Sequence, residues 1–458
     1  MDRWKIAEIV EWLEPSCKVH WGKGKSGELR VRSFQHDSRK VQEGDLFFAL
    51  RGERFDGHDG LLEVAQRGAI AAVVSEWRGS FDLWQQEGMT FIEVKDVQGA
   101  LRQLARKVFS FRKQKAVGVT GSVGKTTTKE FIATLLQAGF DVEKTLGNLN
   151  SQVGLPLSLL NDMREEALFV MEMGMSQSGE ISRLVAMAPP EIALVTRIAL
   201  AHVAAFPDGL EGIAQAKGEI LTHPKTQYGV IHAQAISFKG IAQRGSCKKI
   251  TYGWKWEFPT ADVVLNQEGT EYWIEEKKGG GSPRFVLPFS APHLCENFLG
   301  AAVVCRLMGM EWSLILSRID QLKTYKNRFE WVEKKGIRFL NDSYNANPCS
   351  MKAALDYFQG LQVSGRKGAV LGSMRELGAF CRDSHFELGQ RAAEVFDYVI
   401  CVGSECQPAV DCLKEKGRSI IFCNSFEEAR GYLFDWIKSG DAVLLKGSNS
   451  HQLWKILE

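Results

Sequence analysis

The run Gly121-Ser122-Val123-Gly124-Lys125-Thr126-Thr127 holds residue types suited to phosphate. A phosphate needs backbone N–H donors at close range and a positive charge. Gly121 and Gly124 allow the close approach. Lys125 is placed to reach the β- and γ-phosphates of a nucleotide. The Thr126 hydroxyl stands where a Mg²⁺ ligand belongs, at the opening of a helix. The flanks agree: AVGVT from Ala116 is a short apolar strand, and TTTKEFIATLLQAG continues as a helix with Phe131, Leu135 and Leu136 on one face. The strict pattern GxxxxGK[ST] asks for glycine at position 119, where the chain has Val119, with Gly118 one place earlier. The alternative is a chance turn ahead of a helix. The strand, the loop, GKTTT and the helix together disfavour it.

Three more residues could carry metal chemistry. Glu172 follows the apolar run ALFVM, and an acid at the C-terminal end of a buried strand can hold Mg²⁺ beside a phosphate loop. A solvated strand-end glutamate fits the same pattern. His202 lies in TRIALAHVAAF, in the loop after a third apolar run, and a lone histidine is more often structural. Lys217 sits in IAQAKGEIL among apolar neighbours, where a lysine ordinarily snorkels to the surface.

The elements that would position these residues fall into three blocks. With 458 residues there is room for two to four domains at roughly 100–200 residues each. The first block, 1–111, alternates strands (DLFFAL at Asp45–Leu50, AIAAVV at Ala69–Val74, Thr90–Val94) with helix and a charged, glycine-containing loop at Arg51–Gly60, a small α/β domain. The second, 112–324, alternates apolar strands and helices, which implies a parallel sheet. Its Gln227–Pro288 stretch is richer in strands (GVIHA, YWIEE, RFVLPF, with a turn at Gly279–Ser282) and extends the same domain. The third, 325–458, has strands at Ile337–Leu340, Gly368–Leu371, Tyr398–Val402 and Ala442–Leu445 separated by helices, a second parallel, Rossmann-like α/β domain. It has no GxGxxG opening, which disfavours a dinucleotide site there.

Composition excludes other classes. The 57 Lys+Arg and 55 Asp+Glu give a formal charge of +2, so no basic stripe argues for nucleic acid. The ten cysteines include no CxxC pair, and several lie in apolar runs, as small buried hydrophobes do in a reducing compartment. MDRWKIAEIVEWLEP is a short amphipathic helix rather than a signal peptide, and no apolar run is long enough to span a membrane. A cytoplasmic protein is expected.

With TGSVGKTTTK, GNLNSQVGLP, EMGMSQSGEI, AHVAAF…AKGEI and NDSYNANPCSMKAAL in this order, the chain resembles the Mur ligase family. These are the ATP-dependent amide-forming enzymes of peptidoglycan precursor synthesis. The resemblance covers all three blocks. Within the family the chain is most similar to members that add D-alanyl-D-alanine to UDP-N-acetylmuramoyl tripeptide. YNANP at Tyr344–Pro348, LGSMRELG at Leu371–Gly378 and DSRKVQEGDLFFALRGERFDGHD at Asp37–Asp59 carry that likeness.

The resemblance implies roles. Lys125 and the loop amides would bind the phosphates of ATP. Thr126 and Glu172 would ligate one Mg²⁺, and Glu172, His202 and a carbamylated Lys217 a second. His293 and Asn297 would contact adenine, while Arg328 and Asp342 would close over the nucleotide. Asn148, Asn150 and the GLP turn would shape the site beside it. Tyr344, Asn345, Asn347, Ser350, Lys446 and Ser448 would line the side where the dipeptide arrives. Ser38 and Arg39 would face the uridine moiety. A monomer without nucleic-acid partners is expected.

The chain departs from the family pattern at Val123, Ser151, Arg197, Ser373 and Asn449. The usual residues there are Asn, Asn, Asn, Asp and Arg. These changes touch substrate contacts more than phosphate chemistry. Two other readings stand beside this one. A folate-polyglutamate-type ligase shares the phosphate loop but lacks the first block and YNANP. A P-loop regulatory ATPase would leave the second metal set unexplained.

Overall fold

The computed structural model describes residues 4–24, 26–52, 55–76, 88–162, 164–201 and 203–458. Their packing divides the chain into two compact units. One holds residues 1–118, 140–174 and 180–191, the other 119–139, 175–179 and 192–458.

The amphipathic pattern at the start forms a helix, Ile6–Leu13, that buries Ile6, Ile9, Val10 and Leu13. It lies between β1 (Trp4–Lys5) and β2 (Cys17–His20), and β1 pairs antiparallel with β3 (Arg30–Val31). Then follow β4 (Phe34–Gln35), β5 (Leu46–Phe48), β6 (Ala71–Val74) and β7 (Thr90–Val94). The five-stranded sheet runs β2-β7-β6-β5-β4, parallel except at β2. Its inner strands β5 and β6 are short, fully buried apolar runs, as strands covered on both faces are. Phe47, Ala72, Val74 and Phe91 pack with Leu61 and Val64 of the helix Leu61–Gln66. Asn161 fastens strand β4: it accepts from Phe34 N at 2.9 Å and donates to Phe34 O at 3.1 Å.

The middle of the chain supplies β8 (Ala116–Thr120), β9 (Val142–Lys144), β10 (Leu168–Glu172), β11 (Ile192–Val195), β12 (Tyr228–His232), β13 (Lys248–Trp254), β14 (Val263–Glu268) and β15 (Glu271–Glu276). The strand order is β15-β14-β13-β12-β11-β8-β10-β9. The β11 to β14 pairs are parallel, and β15 returns antiparallel on β14. The strand-rich Gln227–Pro288 stretch therefore extends the sheet, as its pattern suggests. RFVLPF is a correction: only Phe285 makes an isolated bridge, to Tyr272. Pro283 precedes the segment and Pro288 lies within it, and a proline cannot donate to a ladder.

The last sheet contains β16 (Glu330–Lys334), β17 (Ile337–Asn341), β18 (Lys367–Gly372), β19 (Tyr398–Val402), β20 (Ser419–Cys423) and β21 (Ala442–Lys446). Its order is β16-β17-β21-β18-β19-β20, with only β16 antiparallel. Phe339, Val370, Ile400, Val443 and Leu445 form its core with Ala429 and Leu433 of the helix Phe426–Trp436. The central strand ends β17 and β21 carry Asn341 and Lys446, which puts polar groups at one edge of an apolar sheet. Among the described residues, no helix is long and apolar enough to cross a membrane.

Candidate functional site

Strand β8 ends at Thr120 and the helix Lys125–Leu136 begins five residues later. Gly121 has φ +144°, and a Cβ there would lie 1.7 Å from Thr196 Oγ1. Gly124 has φ +83°, and its Cβ would lie 2.4 Å from Asn297 Oδ1. Both positions need glycine for conformation and for space. Thr196 N donates to Thr120 O at 2.9 Å, and its hydroxyl donates to Val123 O at 2.6 Å. Ser122 N donates to Arg197 O and Ser122 Oγ to Ala199 O, each at 2.9 Å. The segment after β11 thus clamps the loop through its backbone. That accounts for Val123: the clamp uses its carbonyl, and a half-buried valine side chain leaves it intact. Lys125 Nζ folds back onto Gly121 O at 2.9 Å, across the loop. Thr126 and Thr127 are buried at the helix opening.

The acid after the ALFVM run is not solvated. Glu172 ends β10 and is 1% exposed. Asn150 Nδ2 donates to its Oε1 at 2.6 Å, and Asn150 O accepts from Gly174 N at 2.8 Å. Asn148 O accepts from Asn150 N, so the GNLN loop is shaped to aim Asn150 at the acid. Ser151, a departure from the family pattern, accepts from Gly154 N at 3.1 Å as the next helix opens. Lys217 is likewise not at the surface. It is 2% exposed in the helix Gly209–Gly218, which overturns the snorkelling alternative. Glu219 beyond it accepts from Gly179 N at 2.8 Å. His202 lies outside the described residues.

The helix Pro292–Leu307 carries His293 and Asn297. The His293 ring stands edge-on to Phe329 at 4.5 Å. Burial carries its imidazole down to about 4, so the ring is neutral near pH 7. Between these two residues, Glu296 is 5% exposed. Arg197 grips it with Nε to Oε2 at 2.9 Å and Nη2 to Oε1 at 2.7 Å, and Nη2 also donates to Glu257 at 2.6 Å. His232 Nε2 lies 3.2 Å from the same carboxylate. Burial pushes the Glu296 carboxyl up, but His232 and Arg197 outweigh it and hold it at about 2.

Asn327 and Phe329 both take left-handed φ, 62° and 57°. That strain is held in place: Asn341 donates to Asn327 Oδ1 at 2.8 Å, and Asp342 accepts from Phe329 N at 3.1 Å. The turn lays the Arg328 guanidinium 3.8 Å over the Tyr344 ring. Lys446, 1% exposed, pairs with Asp342 at 2.5 Å and donates to Asn345 O at 3.3 Å. Asn347 and Ser350 form a reciprocal cap on the helix Pro348–Gly360. Ser448 Oγ accepts from Arg375 N. Asn449, another departure, donates to Tyr344 O at 3.1 Å. Ser373 hydrogen-bonds Glu405 and His451, at 2.9 and 2.7 Å, so a carboxylate still stands there, supplied by Glu405.

In the turn after β4, Ser38 is buried and donates to Glu63 at 2.7 Å. Arg39 is bound bidentately to Asp37, whose carboxyl it holds at about 2 through those hydrogen bonds. Thr196, Glu296, Glu257 and His232 are functional neighbours that sequence reasoning missed. The signal available was a charged residue, Glu296, inside the apolar helical run LCENFLGAAVVC.

Three family models match the chain: the Mur ligase family catalytic domain over residues 30–109, the Mur ligase middle domain over 119–305, and the Mur ligase glutamate ligase domain over 327–449. UDP-N-acetylmuramoyl-tripeptide–D-alanyl-D-alanine ligase of Bacillus subtilis is 36% identical over 77% of this chain and 76% of its own length. The enzyme of that name from Rickettsia prowazekii is 30% identical over 98% of this chain and 99% of its own. Among solved structures, MurF from Acinetobacter baumannii superposes with a TM-score of 0.83 at 26% identity, covering 99% of this chain and 98% of its own. MurF from Thermotoga maritima, in complex with ADP, gives 0.77 at 30%, covering 93% and 96%.

Proposed function

The chain belongs to the Mur ligase family, and we infer that it joins D-alanyl-D-alanine to UDP-N-acetylmuramoyl tripeptide at the expense of ATP, in peptidoglycan precursor synthesis. The observation that carries this reading is a match along 98% of the chain to a relative bearing that activity in its name. A folate-type reading leaves the first block and YNANP without a role.

A carboxylate is a poor electrophile, so it must be activated. The tripeptide's terminal carboxylate attacks the γ-phosphorus of ATP. A new O–P bond forms, the bond to the β,γ-bridging oxygen breaks, and ADP leaves. The dipeptide's amine then attacks the acyl carbon. The amide forms with loss of a proton, and phosphate departs. Lys125 and the loop amides would hold the phosphates against the approaching carboxylate. Asn150 would orient Glu172. The neutral His293 would meet an uncharged base, beside Asn297. Arg328 and Asp342 would close over the nucleotide, and Tyr344, Asn345, Asn347, Ser350, Lys446 and Ser448 would receive the dipeptide. Ser38 and Arg39 would face the uridine. Residues 1–111, 112–324 and 325–458 would serve as the UDP-substrate, ATP and dipeptide domains.

Magnesium fits the side chains present. Glu172 is a buried carboxylate, and Thr126 offers a hydroxyl at the helix opening. Lys217 is 2% exposed, and a carbamate there would turn a buried cation into an anionic oxygen ligand. Carbon dioxide adding to its neutral Nζ forms an N–C bond, loses a proton and leaves a carboxylate-like ligand. Thr126 and Glu172 would hold one ion, and Glu172, His202 and carbamylated Lys217 a second. Bound Mg²⁺ supplies charge neutralisation on the phosphates. The same reading makes the protein a cytoplasmic monomer, and its ten free cysteines suit a reducing compartment.

Mass spectrometry of the product tests the reading. UDP-muramoyl tripeptide should gain one D-alanyl-D-alanine, and single amino acids should give no product. A product carrying one added amino acid would overturn the assignment.

A further inference from the structure

We propose that Arg197 is a positioning residue for the nucleotide, acting with Glu296 to lock the phosphate loop in register with the helix that carries His293 and Asn297. The proposal rests on the reading of that loop and helix as the ATP site.

Arg197 touches both partners at once. Its carbonyl accepts from Ser122 N, inside the phosphate loop, at 2.9 Å. Its guanidinium takes both carboxylate oxygens of Glu296, on the helix. Planar bidentate pairing fixes orientation as well as distance, which a single point contact does not. The lock is also braced from outside. Glu257, in the turn after β13, holds the guanidinium from a second side at 2.6 Å. Phe258 packs under it at 5.7 Å and edge-on against His232 at 5.4 Å. His232 in turn faces Glu296 at 3.2 Å.

The helix end has no slack to absorb a shift. Asn297 follows Glu296 directly, and its Oδ1 lies 2.4 Å from where a Cβ on Gly124 would stand, so it is packed close against the loop. Movement of Glu296 therefore moves Asn297 against the phosphate loop. His293 lies about one turn before Glu296 on the same helix. Any rotation that frees Glu296 redirects His293 too. Without Arg197, a carboxylate that is 5% exposed would lose its bidentate partner and pull toward solvent. The contacts that would meet the base and those that would meet the phosphates would then fall out of register.

Calorimetric titration with ADP and, separately, with UDP-N-acetylmuramoyl tripeptide tests this on the full chain. Arg197→Gln should weaken ADP about tenfold or more, while tripeptide affinity stays within about twofold. Arg197→Lys should fall between Arg197→Gln and the parent. The double variant Arg197→Gln/Glu296→Gln should bind ADP better than Arg197→Gln alone, because no buried charge is left unpaired. Unchanged ADP affinity in Arg197→Gln would overturn the proposal. So would equal weakening of both ligands, which marks general structural damage, and so would additive losses in the double variant. If Arg197→Gln does not fold, the same criteria apply to Arg197→Lys. A parent protein that binds ADP but makes no ligation product would refute the function reading while leaving this test intact.

Discussion

Lys446 Nζ lies 2.5 Å from Asp342 Oδ2, joining the C-terminal ends of strands β21 and β17. The lysine is almost wholly buried and the aspartate largely so. Removing one partner leaves a charge in a poor solvent, which costs about 3–5 kcal/mol for a buried pair. Asp342→Ala should therefore lower the denaturant midpoint clearly and abolish ligation. Lys446→Met should be milder in stability, because Asp342 keeps its bond from Phe329 N and more access to water. Urea unfolding of both variants checks the order.

The phosphate loop is held by its backbone, so side-chain changes should sort by whether they reach that backbone. Thr196→Val deletes the donor to Val123 O and should cost about 1–3 kcal/mol in nucleotide binding. Val123→Asn should leave ADP affinity near the parent value. Gly121→Ala should abolish binding, since the added carbon would overlap Thr196. ADP titration of the three variants reads these out. Strong loss in Val123→Asn with none in Thr196→Val would reverse the account.

Lys217→Ala should lose nearly all ligation, and short carboxylic acids in the buffer should restore part of it. Thermal unfolding serves as the control for folding. Full activity in Lys217→Ala would exclude the carbamate.

Burial holds His293 at about 4, below its unfolded value near 6.5. Between those pH values the unfolded chain binds more protons than the folded one, so stability falls as pH drops through this window. Above pH 6.5 this group contributes no slope. His293→Gln should flatten the pH dependence of stability between 4 and 6.5. ADP affinity of the parent should hold steady from pH 8 to about 5 and weaken as the pH approaches 4, where the ring takes up its proton. An unchanged slope in His293→Gln would assign the proton to another group.

Local pattern revealed much of this molecule. Strands buried on both faces read as largely apolar runs, and β6, β8, β19 and β21 were visible in this way. Two edge strands of the last sheet were not. β16 (EWVEK) mixes charged with apolar residues and pairs antiparallel, so it lacks a parallel-strand signature, while β20 (SIIFC) is a short apolar run that is only partly buried at the sheet edge. RFVLPF misled in the opposite sense, because Pro283 before it and Pro288 within it outweigh its apolar content. The phosphate loop was legible because its glycines and lysine are contiguous. The Arg197–Glu296 pair was not, since 99 residues separate its members and each alone resembles a solvated charge. Lys217 shows the same limit: no local rule distinguishes a lysine buried in a helix from one that snorkels.

Phosphate release during turnover tests the central claim most directly. With ATP and Mg²⁺ present, release should require both UDP-N-acetylmuramoyl tripeptide and D-alanyl-D-alanine, in equal amount to the amide formed. Steady release from ATP alone, indifferent to either substrate, would contradict the ligase account and favour a regulatory ATPase.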